Sequence, residues 1–261
     1  MNPVKKIASK GRRFVGSCRT KFLRKFGFLD GDWKTSLPHE LQFWDWVLKD
    51  NGRNWDRVEW ANATNPNLEL QAELKALIPA GEGERVRILD VGSGPLTRVG
   101  KRWAGRVVEI VPADPLAEEY KMLLSRHAIT PLAPPVAAHG EKLLEVFQEN
   151  SFDLAYASNS LDHSYDPLLV IRQMLATVKP GHYLYLWHVA NEGLRETYIG
   201  LHQWNFNIRR SQLVIDDGRK TQSITSALKG VAEVKCEFQS AFNTRIVVAT
   251  LRKLPAPEGT D

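Results

Sequence analysis

Hydrophobic and polar positions change period along the chain, and each change marks an element. From Val86 onward, short apolar runs alternate with stretches of helical period, the pattern of strands laid parallel with a crossover helix after each. The runs predict strands near 86–91, 106–113, 135–138, 152–157 and 182–189, and helices near 96–104, 115–127, 141–148 and 166–178. Residues 208–217 and 221–228 read as an insertion holding a strand and a short helix, while 231–240 and 244–253 alternate with period two. Upstream, Leu41, Trp44, Val47 and Leu48 share one face of a helix from Leu37 to Lys49. Ser36 serves as its N-cap, Pro38 stands near its first turn and Asp50-Asn51-Gly52 stops it. Residues 62–67 read as a turn-rich linker and 68–78 as a helix before the first strand.

No window holds 18 consecutive apolar residues, so no membrane-spanning helix is expected. With 261 residues, 43% hydrophobic and 25% charged, the chain suits a soluble α/β domain with an elaboration. Cys18 and Cys236 are too few for a disulfide framework, which fits a reducing, cytoplasmic setting. The net charge of +5 hides an asymmetry: residues 1–34 carry ten Lys and Arg against Asp30 and Asp32, a net of +8. Val4, Ile7, Phe14, Val15, Cys18, Phe22, Phe26 and Leu29 recur there at helical spacing opposite the basic face. Three readings stand: a solvated helix packed on its own domain, a peripheral helix drawn to an anionic membrane, or an Arg-rich targeting peptide. The run is not embedded in any nucleic-acid module, so no nucleic acid is expected as a partner. Five of the eight tryptophans (33, 44, 46, 55 and 60) follow, either packing an extension of residues 35–80 onto the domain of 81–254 or forming an aromatic lid over its ligand site. Residues 255–261 read as a loose tail.

Candidate chemistry starts at Ile88-Leu89-Asp90-Val91-Gly92-Ser93-Gly94, a buried strand running into a glycine turn. Gly92 and Gly94 allow a sharp turn and close approach of the backbone to a ligand, though an ordinary strand-to-helix loop looks the same. Asp114 ends the second strand 24 residues after Asp90, where a carboxylate can accept hydrogen bonds from a ribose diol. A dinucleotide fingerprint would need glycine or alanine at position 97; Thr97 counts against NAD.

At this point the chain resembles the class I S-adenosylmethionine (SAM)-dependent methyltransferases. The likeness is carried in order by Leu89 to Gly94, Ala113-Asp114-Pro115-Leu116, Gly140-Glu141-Lys142-Leu143, Ser151 to Asn159 and Val178 to Leu184. Leu96 and His182 depart from glycines common in the family. The resemblance implies a Rossmann-like, seven-stranded, mostly parallel sheet closed by an antiparallel hairpin, and SAM as cofactor with S-adenosylhomocysteine as product. It also implies the cofactor residues: Asp90, Gly92, Ser93 and Gly94 around the amino-acid part, Asp114 at the ribose, and Pro115, Leu116 and Glu141 at the adenine. Asn159, Ser160 and Leu161 would leave the fourth strand beside the sulfonium.

Methyl transfer to a hydroxyl requires a group to take the proton. His163, in Leu161-Asp162-His163-Ser164-Tyr165-Asp166, is one candidate base, with Asp162 beside it; a capping role for the same loop is the alternative. His188, at the end of the fifth strand, is the other, although alternation places it equally well facing a packed helix. Tyr165, Asn191, Glu192, His202 and Trp204 are candidate acceptor contacts. No spacing of His, Asp and Glu along the chain forms a metal site, so a metal-independent enzyme is expected. The polar, aromatic mouth favours O-methylation of a sugar on a glycan or glycolipid. Rival readings are a lipid-like ring or quinone as acceptor, and a non-catalytic SAM-binding or partner-binding module.

Overall fold

A computed structural model describes residues 33–255 apart from residue 242. The basic segment before residue 33 and the tail after 255 lie outside the described residues, and with them the expectations attached to both. Strands β1 (Arg85–Val91), β2 (Val107–Asp114), β3 (Val136–Ala137), β4 (Phe152–Ser158), β5 (Val178–Val189), β9 (Ala232–Ala241) and β10 (Thr244–Lys253) form one sheet in the order β3-β2-β1-β4-β5-β10-β9. The first five run parallel, whereas β10 lies antiparallel to both β5 and β9. This is the Rossmann-like, mostly parallel sheet expected from the sequence, and it sets the ends of β1, β2 and β4 side by side along one edge of the molecule.

Burial explains why those strands form. Ile88, Leu89, Leu154, Ala155 and Leu184 are completely buried, because helices and loops cover both faces of a parallel sheet. One face packs α5 (Pro167–Thr177) through Val170, Ile171 and Met174; Asp166 caps that helix by accepting from the Leu169 N–H at 3.1 Å, with Pro167 preset in its first turn. On another flank, α4 (Ala117–Arg126) carries Tyr120 and Leu124 against Leu48 and Trp44 of α1 (Trp33–Leu48).

Several elements depart from the sequence reading, each for a local reason. No helix follows the glycine turn. Residues 101–102 instead pair with the extended backbone of 68–70: the Lys101 N–H donates to the Leu68 carbonyl at 2.8 Å and the Leu70 N–H to that of Arg102 at 2.7 Å. Gly100 permits the approach, since a Cβ there would stand 2.1 Å from the Glu69 carbonyl oxygen. The same pairing shortens the helix expected over 68–78 to α3 (Ala72–Lys75). Part of the supposed linker is helical, α2 (Arg57–Thr64), nucleated by Asp56, whose side chain accepts from the N–H groups of Val58 and Glu59. The single strand expected over 208–217 is a hairpin, β6 (Asn205–Arg209) and β7 (Gln212–Asp216), because Arg210 and Ser211 both take positive φ, as a two-residue turn demands. Strand β8 (Thr221–Ser223) and α7 (Ile224–Ala227) complete this insertion, and between β5 and β6 lies the single turn α6 (Glu192–Arg195). Among the described residues, no helix is long and apolar enough to cross a membrane.

Candidate active site

The turn after β1 is built by glycines with no room to be anything else. Gly92 has φ 70° and a Cβ on it would lie 2.4 Å from that of Ser160; Gly94 has φ 64° and a Cβ would meet the Trp44 ring at 2.7 Å. Two carboxylates fix the turn from below. Asp114 accepts from the Gly94 N–H with one oxygen and from the Leu116 N–H with the other, both at 3.0 Å. Asp90 accepts from the Thr97 hydroxyl at 2.6 Å and does not face the cavity. Asp90 therefore anchors the segment in which a helix was expected. Burial pushes the Asp90 carboxyl up to about 6 and that of Asp114 up to about 7.

Above this floor opens a cavity of about 680 Å³, within the range of ligand sites. Gly92, Ser93, Gly94, Asp114, Pro115, Leu116, Glu141, Asn159, Ser160 and Leu161 all line it, although in sequence they come from four separate stretches. Glu141 does more than line a wall: its carboxylate accepts from the Tyr165 N–H at 2.7 Å and so fastens the loop after β4. Asn159, at φ 48°, turns that loop out of the strand while its side chain accepts from the Val189 N–H at 2.9 Å.

A glycine cradle, a buried acid with two backbone donors already in place and free acceptor capacity on each oxygen, and an adjoining apolar pocket form a donor and acceptor set that fits SAM. Gly92 to Gly94 would hold the amino-acid part, Asp114 the ribose, and Pro115, Leu116 and Glu141 the adenine.

At the far end of the cavity stand His163 and His202, with Asp162 buried behind them. His202 Nδ1 lies 2.7 Å from Asp162 Oδ2 and 3.0 Å from His163 Nε2, and the two imidazoles meet edge to face. The paired imidazoles hold the Asp162 carboxyl below the usual carboxylate range despite its burial, while Asp162 in turn raises His202 against the same desolvation. Among the described residues, the buried side-chain polar atoms without a hydrogen-bond partner are Asp162 Oδ1, both ring nitrogens of His188 and Glu192 Oε2, none of which lines the cavity itself.

Other sequence-based candidates stand elsewhere. His188 is buried, stacked at 4.1 Å and nearly parallel on Phe206, and desolvation pushes it down to about 4; it packs the core and does not reach the cavity. Asn191 accepts from the Asn207 amide at 2.7 Å, and the Trp204 indole donates to the Ser164 carbonyl at 2.9 Å; both brace the wall from outside. Glu192, likewise behind the wall, pairs with Arg195. Tyr165 and His202 do line the cavity.

The sequence reading passed over Arg98, which also lines the cavity, paired with Glu59 of α2 and donating to the Ser158 hydroxyl at 3.3 Å. No local signal marks it, because its partner lies 39 residues away, on a short helix whose end runs into the stretch read as a linker. Helix α1 supplies a wall as well: His39, Glu40, Phe43 and Trp44 face the cavity, so the tryptophan cluster both packs the extension (Trp44 edge-on to Trp55 and Tyr120) and roofs the glycine turn.

Residues 89–186 match the family described as "Methyltransferase domain". No curated protein sequence matches the chain. Among solved structures, the CurJ carbon methyltransferase superposes with a TM-score of 0.51 at 12% identity, over 98% of this chain and 72% of that one. A 1,6-didemethyltoxoflavin-N1-methyltransferase from Burkholderia thailandensis, solved with S-adenosylhomocysteine bound, gives 0.48 at 13% identity, over 87% and 92% of the two chains. The CMeT domain of the citrinin polyketide synthase gives 0.46 at 19% identity, over 67% and 48%. The match runs from β1 to β5, the strands whose ends form the floor of the cavity, so this part of the chain is similar to the SAM-dependent methyltransferase domain, and the whole described sheet has the fold of those enzymes.

Proposed function

We propose that this protein is an O-methyltransferase that uses SAM and acts on a hydroxyl of an amphipathic acceptor, such as the sugar of a glycolipid. The observation that carries this reading is a single cavity with the glycine and Asp114 floor at one end and the Asp162–His163–His202 group at the other. SAM supplies a methyl carbon already activated by its sulfonium, so the protein's task is alignment and preparation of the acceptor oxygen. Asp162 keeps a negative charge behind two imidazoles, a place where a hydroxyl is made nucleophilic. Asp114 is buried and His163 and His202 are half-buried, whereas Phe43, Tyr165 and Ile199 line the cavity and are exposed, giving an apolar rim. A hydroxylated head with an apolar tail matches that gradient, and the basic run before residue 33 suits an anionic membrane surface where such acceptors lie. An apolar ring or quinone would use the rim and leave the imidazoles idle.

The test is calorimetric titration of the folded chain with S-adenosylhomocysteine and, separately, NAD. Micromolar binding of S-adenosylhomocysteine alone, followed by transfer of label from SAM to a glycolipid but not to a quinone, is the expected outcome. No binding would turn the reading toward a partner-binding module of the same fold.

A further inference from the structure

The expectation of a metal-independent enzyme rests on spacing along the chain, and spacing cannot see His202, which lies 39 residues from His163 and is brought back by the segment between β5 and β6. In the fold, three atoms converge. Asp162 Oδ2, His202 Nδ1 and His163 Nε2 are separated by 2.7, 3.0 and 3.5 Å. All three can present a lone pair, and together they enclose one point between them.

We infer that these three side chains form a binding site for a first-row divalent cation that opens into the acceptor end of the cavity. A cation satisfies all three atoms together. A point about 1 Å off the plane of the triangle is about 2.0–2.1 Å from each corner, the length of a zinc–imidazole or zinc–carboxylate bond. Two imidazoles and one carboxylate are the donor set chosen by zinc or ferrous iron, and leave positions open; magnesium and calcium, which take oxygen ligands, do not fit it. His163 and His202 both line the cavity, so the open positions face the acceptor, whose hydroxyl the cation would draw into place. This inference deepens the function proposed above and depends on it only for the role of the cation, not for its binding.

The test uses tag-free full-length protein, stripped with chelator and titrated with Zn2+ and, under separate conditions, with Co2+ read by visible absorption. The expected result is one equivalent bound, with the Co2+ spectrum of nitrogen and oxygen ligands, and an affinity weakened by at least ~10-fold in His202→Ala and in His163→Ala. His163 and His202 are partly exposed, so these variants avoid the folding risk of changing buried Asp162. Substoichiometric uptake, or one equivalent bound equally by wild type and His202→Ala, overturns the site. S-adenosylhomocysteine binding measured on the same stripped protein separates the two proposals: retained cofactor binding without metal uptake removes the cation alone, and metal uptake without cofactor binding removes the methyltransferase reading alone.

Discussion

The two ends of the cavity are made in different ways. The end proposed for the cofactor is backbone held by carboxylates: Asp114 has both oxygens engaged by N–H groups, Asp90 holds Thr97, and Gly92 and Gly94 are hemmed in. The end proposed for the acceptor is side chains crowded on one another, His163 and His202 meeting edge to face over Asp162, whose Oδ1 has no partner. A site whose own atoms are satisfied keeps its shape whether or not a ligand is present. One that leaves a lone pair unsatisfied is waiting for something to complete it.

The contrast is breakable by mutation. The largest effect belongs to the acceptor end: His202→Ala should lower turnover by about 10²–10⁴-fold and leave S-adenosylhomocysteine affinity within about twofold. Steady-state kinetics beside calorimetry decides this, and a parallel loss of cofactor affinity would mean that the two ends are not separate. Next comes Gly92→Ala, which must place a Cβ against Ser160 at positive φ; cofactor affinity should fall about 100-fold, about 2.7 kcal/mol. Asp114→Ala should weaken S-adenosylhomocysteine at least tenfold, about 1.4 kcal/mol.

Wild-type affinity should also rise between about pH 6 and pH 8. The Asp114 carboxyl is pushed up to about 7, and a ribose diol donates best to the ionised form that predominates above that pH. A flat profile, or the same profile in Asp114→Asn, would remove Asp114 from the contact. The smallest effect is expected at His188: a leucine in its place keeps the ring-sized volume of the core and no reacting group is lost, so turnover should stay within a few-fold of wild type. A collapse of activity in a folded His188→Leu protein would reinstate it as the base.

These ends differ in legibility for the same reason. That Gly92, Gly94 and Asp114 share one cavity is legible in the sequence because each stands at the end of its own strand or in the turn that follows it, with neighbours close in sequence. Asp162, His163 and His202 were each picked out singly, but their meeting depends on how the segment between β5 and β6 folds back, and nothing local to residue 202 encodes that. Arg98 was invisible because it needed Glu59, and Glu59 needed Asp56 to cap a short helix in a stretch rich in turn formers. His188 shows the converse error: a strand-end histidine has the right address for chemistry, yet only packing against Phe206 reveals that it is core.

Helix α1 stands outside the sheet and is held by few polar contacts: Asp45 grips Arg126 and His127 of the α4 flank at 2.9 and 3.0 Å, and Trp44 rests on the glycine turn. Any ligand that fills the cavity touches this helix on one side and the strand ends on the other, so occupancy and docking of the helix favour each other by mass action. A cofactor bound there would serve as a fastener for helix α1. Protease cutting ahead of α2 should slow as S-adenosylhomocysteine is added, at a rate that tracks the fraction of sites filled.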